Sequence, residues 1–94
     1  MSGMGETVEV LLNRALDSVT VINDINTNGL SSSHAMETQE ETNAVVNRNV
    51  KHIELILAFD GSDGVNPDVV NDDSDKSVHT NAITTGKAYI EENS

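Results

Sequence analysis

Arg48, Lys51 and His52 stand within five residues of one another in a chain that has 5 Lys and Arg against 16 Asp and Glu. On a helix, Arg48 and His52 are one turn apart and share a face. A guanidinium and an imidazole on one face, with Asn49 beside them, present donors suited to a phosphate or a carboxylate. Lys87 would add a second ammonium, and Tyr89 a ring for stacking and a hydroxyl. These six residues form the candidate ligand-binding set. A structural use competes with it. Glu41 and Glu54 are spaced to pair with Arg48 or Lys51 along a helix surface, and Arg48 is equally suited to bridging two subunits.

Other chemistries find less support. The aspartates between positions 60 and 75 invite a calcium reading. However, Asp60-x-x-Asp63 and Asp72-Asp73-x-Asp75 lack the order D-x-[DN]-x-[DN]-G and its closing Glu. His34, His52 and His79 are isolated, with no H-E-x-x-H spacing. Ser31, Ser32 and Ser33 have no G-x-S-x-G context and read as loop and cap. There is no Cys, which excludes disulfides, zinc ribbons and thiol catalysis. The expectation is a protein without enzymatic activity, metal or cofactor.

Composition narrows the partners. The 94 residues suffice for one domain, 1–94, and carry a formal net charge of -11. So acidic a chain is not expected to coat phosphate backbones, so direct nucleic-acid binding is set aside. No apolar run approaches the ~18–20 residues that span a bilayer. Met1 to Glu6 is small and acidic and does not read as a signal peptide.

The apolar residues recur with helical spacing, which predicts an all-α fold. The first helix is expected at about 6–26, with Met1 to Met4 frayed. Val8, Leu11, Leu12, Ala15, Val19 and Ile22 form its stripe, widened by Val10, Val21 and Ile25 on one side and Leu16 on the other. Asn28 and Gly29 suit a left-handed cap, with Leu30 folding back on the last turn. A second helix is expected at about 34–59, capped by the serines before it. Val46, Val50, Ile53 and Leu57 form one face; Ala44, Val45, Leu55, Ile56 and Phe59 lie on another. Two apolar faces call for cover on both sides, from a third helix or from another copy of the chain. The third helix is expected at about 75–92 with a stripe of Val78, Ala82, Gly86, Tyr89 and Ile90. Gly86 in mid-stripe suits close approach of a neighbour, while Thr84-Thr85-Gly86 favour a kink or a late start. Between them, 60–75 holds six Asp and reads as a self-repelling, solvated loop. Aromatic mass is only 2%, so the aliphatic stripes gain most in long helix–helix seams. The expected architecture is a long helical hairpin plus a shorter C-terminal helix, assembled as a homo-oligomeric bundle.

The run Arg48-Asn49-Val50-Lys51-His52-Ile53-Glu54-Leu55-Ile56-Leu57-Ala58, within 42–58, is similar to a pattern of small phage-encoded proteins of unassigned role, R-N-V-x-H-[LI]-E-x-x-L-A. In those proteins it is followed by A-I-x-x-G-K-A-Y-I, which stands here as Ala82-Ile83-Thr84-Thr85-Gly86-Lys87-Ala88-Tyr89-Ile90. The similarity covers about half the chain; the spacer here is long and acidic, and the first helix is not covered. The resemblance implies a phage or prophage source and brings no catalytic assignment. It also keeps Arg48, Asn49, His52, Glu54, Lys87 and Tyr89 together as one constellation.

On this reading the chain is a homo-oligomer that sequesters a phosphate-bearing small molecule, such as a cyclic nucleotide immune signal, in the cytoplasm of an infected bacterium. Two alternatives stand beside it: a virion structural or assembly protein, and an acidic mimic of nucleic acid that inhibits a host enzyme.

Overall fold

The two longer helices begin where a threonine hydroxyl accepts a backbone N–H left over by the first turn. In the computed structural model, which describes residues 7–94, Thr7 Oγ1 accepts from Val10 N at 3.1 Å and opens α1, Val8–Asn28. The expected start at Glu6 and the fraying of Met1 to Met4 lie outside the described residues. At the other end Gly29 sits at φ 57 and donates its N–H to Ile25 O. Gly29 therefore caps the helix as expected, with positive φ but with ψ -137 rather than the left-handed helical value, and α1 ends two residues later than expected. A short 3-10 turn, Gly29–Ser31, follows, and Leu30 remains 48% exposed rather than folding back on the helix.

The second helix, α2, spans Gln39–Leu57 and starts five residues later than expected. The capping signal was not the serine run but Thr38-x-x-Glu41. Glu41 N donates to Thr38 Oγ1 at 3.0 Å, and the Thr38 hydroxyl donates to Glu41 Oε1 at 3.1 Å, a threonine-to-glutamate pairing related to the capping box. The loop before it folds over Thr42, which is fully buried. Its hydroxyl accepts from Met36 N and donates to Thr38 O, each at 2.9 Å. The third helix, α3, runs unbroken over Ser77–Glu92, two residues later than expected.

Contacts between residues far apart in the chain fix the directions. His79, near the start of α3, reaches the carbonyl of Leu12, near the start of α1. Tyr89, near the end of α3, meets Gln39 at the start of α2. So α1 and α3 run parallel and α2 runs against both; each helix packs on the other two. The bundle measures 46 × 20 × 19 Å, and no strand occurs among the described residues.

The core departs from the expected stripes in three places. In α1, Ile25 is fully buried, whereas Val10 and Leu16 are 42% and 38% exposed, so the working stripe is narrower than its sequence suggests. In α2, Val46, Val50 and Ile53 are buried as expected, but the next turn buries Ile56 and leaves Leu57 half-covered. In α3, Val78 is 54% exposed and His79 takes its place inside. Thus both sides of α2's buried stripe are covered from within the chain, by α1 and α3.

The segment between α2 and α3 is irregular and mostly exposed, as expected, but it is anchored to the bundle at one point. Val69 is fully buried in the common core. Val69 N and Val70 N both donate to Phe59 O, at 2.8 and 2.9 Å, and Asp60 and Asp68 form an isolated antiparallel bridge. The aspartates organise it. Asp60 accepts from Ser62 N and Oγ, Asp63 from Val65 N, Asn66 N and Asn66 Nδ2, Asp72 from Ser74 N, and Asp75 from Ser77 N at the start of α3. Each carboxylate closes a local turn with its own chain, which offsets the repulsion that its charge would otherwise spread along the segment.

These bonds favour the ionised form. Asp60 is held below the usual carboxylate range by the Ser62 hydroxyl and then its N–H, and Asp63 by the Asn66 N–H and then its side chain. The Ser74 hydroxyl leads for Asp72, and the Ser77 N–H for Asp75. A depressed folded pKa contributes stability above the unfolded value of ~3.9, which is lost as pH falls through the folded values. The amide resonances of Ser62, Val65, Asn66, Ser74 and Ser77 are therefore expected to move together below ~pH 4, with midpoints under that of a free aspartate. A titration in which they share the ~3.9 midpoint of free aspartate would remove this account of the loop.

Candidate functional site

The middle of α2 turns its outer stripe to solvent because Val46, Val50 and Ile53 take the opposite side into the core. With 3.6 residues per turn, that leaves Ala44, Asn47, Arg48, Lys51, His52, Leu55 and Ala58 outside, and all seven are exposed. From Ala44 to Ala58 the stripe contains no acidic residue, although the first turn of α2 carries exposed Glu40 and Glu41. Arg48, Lys51 and His52 have no hydrogen-bond or ion-pair partner among the described residues. Leu55 lies one turn beyond Lys51 and is 58% exposed.

The other candidates lie elsewhere. Asn49 is half-buried and donates its Nδ2 back to Val45 O at 2.8 Å, along its own helix. Lys87 on α3 pairs with Glu54 on α2, Nζ to Oε2 at 2.9 Å, with side chains 62% and 38% exposed. A pair this accessible contributes at most about 1 kcal/mol, but it has an electrostatic consequence. Glu54 is one turn from Lys51, and Lys87 occupies it instead. The pairing of Glu41 or Glu54 with Arg48 or Lys51 that the spacing allows does not occur.

Tyr89 belongs to the core, at 7% exposed. Its hydroxyl accepts from Gln39 Nε2 at 3.0 Å, and Gln39 Nε2 also donates to Asn43 Oδ1 at 2.9 Å. Asn43 Nδ2 in turn donates to Asn93 O at 3.0 Å, and Asn93 Nδ2 to Tyr89 O at 2.8 Å. This chain of amides fastens the end of α3 to the start of α2, so the ring is not free to stack on a ligand. The six candidates therefore divide. Arg48, Lys51 and His52 form one exposed cationic face; Lys87 stands across Glu54 from it; Asn49 and Tyr89 are turned to structural bonds.

In the sequence His79 stands as an isolated histidine. It is 5% exposed, and its Nε2 lies 2.8 Å from Leu12 O. A carbonyl only accepts, so Nε2 carries the proton in this contact. Its Nδ1 is buried with no hydrogen-bond partner among the described residues. One bond thus joins α3 to α1 at the cost of one buried ring nitrogen left without a partner among the described residues.

Among the described residues no pocket opens, and no three His, Cys, Asp or Glu side chains gather where they could hold a metal ion. No described helix is long and apolar enough to cross a membrane. No protein-family model, curated protein or solved structure matches the chain.

Proposed function

We propose that the protein is a non-enzymatic binding protein whose copies hold a phosphate-bearing small molecule on the outer face of α2. The chemistry fits a nucleotide signal of a host defence system, which a phage gains by withdrawing from use. One observation carries the reading: Arg48, Lys51 and His52 stand side by side, exposed and unpaired, on a chain of net charge -11. Acids outnumber Lys and Arg by 16 to 5, and most surface cations in such a chain are expected to find a carboxylate. Lys87 has done so. Three neighbouring donors left open are arranged for an anion brought from outside. Residues i, i+3 and i+4 lie ~5–6 Å apart between Cβ atoms, close enough for one phosphate to meet two of them. Charges beyond ~8 Å are largely screened at physiological ionic strength, and the nearest carboxylate along α2, Glu54, is paired with Lys87.

Calorimetry of the full chain with cyclic di- and trinucleotides tests this. Binding heat is expected with at least one of them, and Arg48→Glu with Lys51→Glu is expected to weaken it at least tenfold while leaving the helical circular dichroism unchanged. Absence of heat with all of them at high protein concentration overturns the reading.

A further inference from the structure

Resting on that reading, we propose that the ligand itself assembles the binding unit: a small molecule with two phosphates joins two copies of the chain across the outer faces of their α2 helices. Three observations lead there. The cations stand on a convex helix surface, and no pocket opens among the described residues. One chain therefore touches an anion from one side only and leaves its other side in water. A second surface must close over it for tight capture. The rest of the chain is strongly acidic and would repel the anion, so the surface of a second copy that welcomes it is the same outer stripe of α2 from Ala44 to Ala58, which carries the unpaired Arg48 and Lys51 and no acid. Using one patch twice is the geometry of a two-fold pair.

The stripe also explains why assembly would wait for ligand. Two cationic faces brought together repel, and the core seams that would drive constitutive pairing are already covered within the chain by α1 and α3. An anion carrying two phosphates reverses the sign between the faces, one phosphate for the Arg48, Lys51 and His52 set of each copy. Leu55, 58% exposed beside these cations, then loses its apolar surface to the partner. A ligand with one phosphate leaves one of the two faces uncompensated.

Sedimentation of the full chain, with the His52 ring followed by NMR in the same samples, decides it. The probes are a cyclic dinucleotide and 5′-adenosine monophosphate. The expected particle is 10.1 kDa without ligand, doubles in mass with the dinucleotide, and stays single with the monophosphate. Leu55→Asp, at an exposed position, is expected to abolish the doubling while His52 still responds to the dinucleotide. A His52 response to the dinucleotide without any doubling overturns ligand-driven pairing and leaves anion binding standing. A doubled particle before ligand is added also overturns it. No His52 response to either probe, together with no heat from any of the cyclic di- and trinucleotides, overturns both proposals.

Discussion

Gly86→Ala lowers the stability of the bundle by about 1–3 kcal/mol, the usual cost of overpacking a filled core. Alanine is the better helix former by ~0.5–1 kcal/mol, so helix propensity alone would give the opposite sign. Gly86 is buried at the meeting point of all three helices. A Cβ placed there overlaps Val50 Cγ2 and comes within 3.2 Å of Val46 Cγ1 and 3.3 Å of Ile22 Cγ2. Val46, Val50 and Ile22 are themselves at most 2% exposed, and β-branched side chains have few alternative rotamers, so the neighbours cannot swing aside. Urea unfolding of Gly86→Ala checks the loss, with Thr84→Ala, at an exposed position two residues earlier on α3, as the control for propensity. If Gly86→Ala proves as stable as the parent, the close approach of α3 to α1 and α2 at this point is wrong.

Val69→Asp separates a docked loop from a solvated one. Val69 is the loop's fully buried member of the core, and its N–H is bonded to Phe59 O. A carboxylate cannot stay in that site unpaired. The loop is expected to swing out, so the loss is bounded by what its docking contributes. Burial of a valine is worth ~1.5–3 kcal/mol, and the two N–H bonds to Phe59 O add ~0.5–1.5 each. A loss of about 3 kcal/mol is expected, with helical circular dichroism largely kept and exchange protection gone from the Val69 and Val70 amides. Replacing Val70, half-exposed beside it, by aspartate is expected to change little. Equal small effects at both positions would return the segment to the solvated linker that its six aspartates suggest.

That contrast shows where reading the chain succeeds. The helices, their order and most of their inward residues follow from period, since Val46, Val50 and Ile53, or Leu12, Ala15, Val19 and Ile22, share a face in any α-helix. The terminal cap at Gly29 was equally legible, because only glycine takes that backbone conformation without strain. The start of α2 was legible too, in Thr38-x-x-Glu41, but the earlier serines offered the same capping chemistry. Local signals tie in such cases, and Thr42, which holds the 34–38 segment by its hydroxyl, acts only through a tertiary contact.

The candidate binding set was legible in part. Arg48, Lys51 and His52 share a face by spacing alone. Whether that face meets water depended on α1 and α3 both covering the opposite side. The direction of Tyr89, the capture of Lys87 by Glu54 and the burial of His79 in place of Val78 depended on the angle at which α3 lies on α2 and α1. Neighbouring positions such as 78 and 79 differ by ~100° about the helix axis, so a small rotation of the whole helix exchanges an inside residue for an outside one.

By itself, then, the order of residues determined which segments become helices and which side of each is apolar, because these follow from near-neighbour geometry repeated every turn. Only the folded chain decided how far each apolar stripe is covered, which aspartates close turns, and which cations remain unpaired. Those outcomes rest on contacts between residues far apart along the chain, such as Leu12 with His79, Gln39 with Tyr89 and Glu54 with Lys87. No local periodicity encodes them.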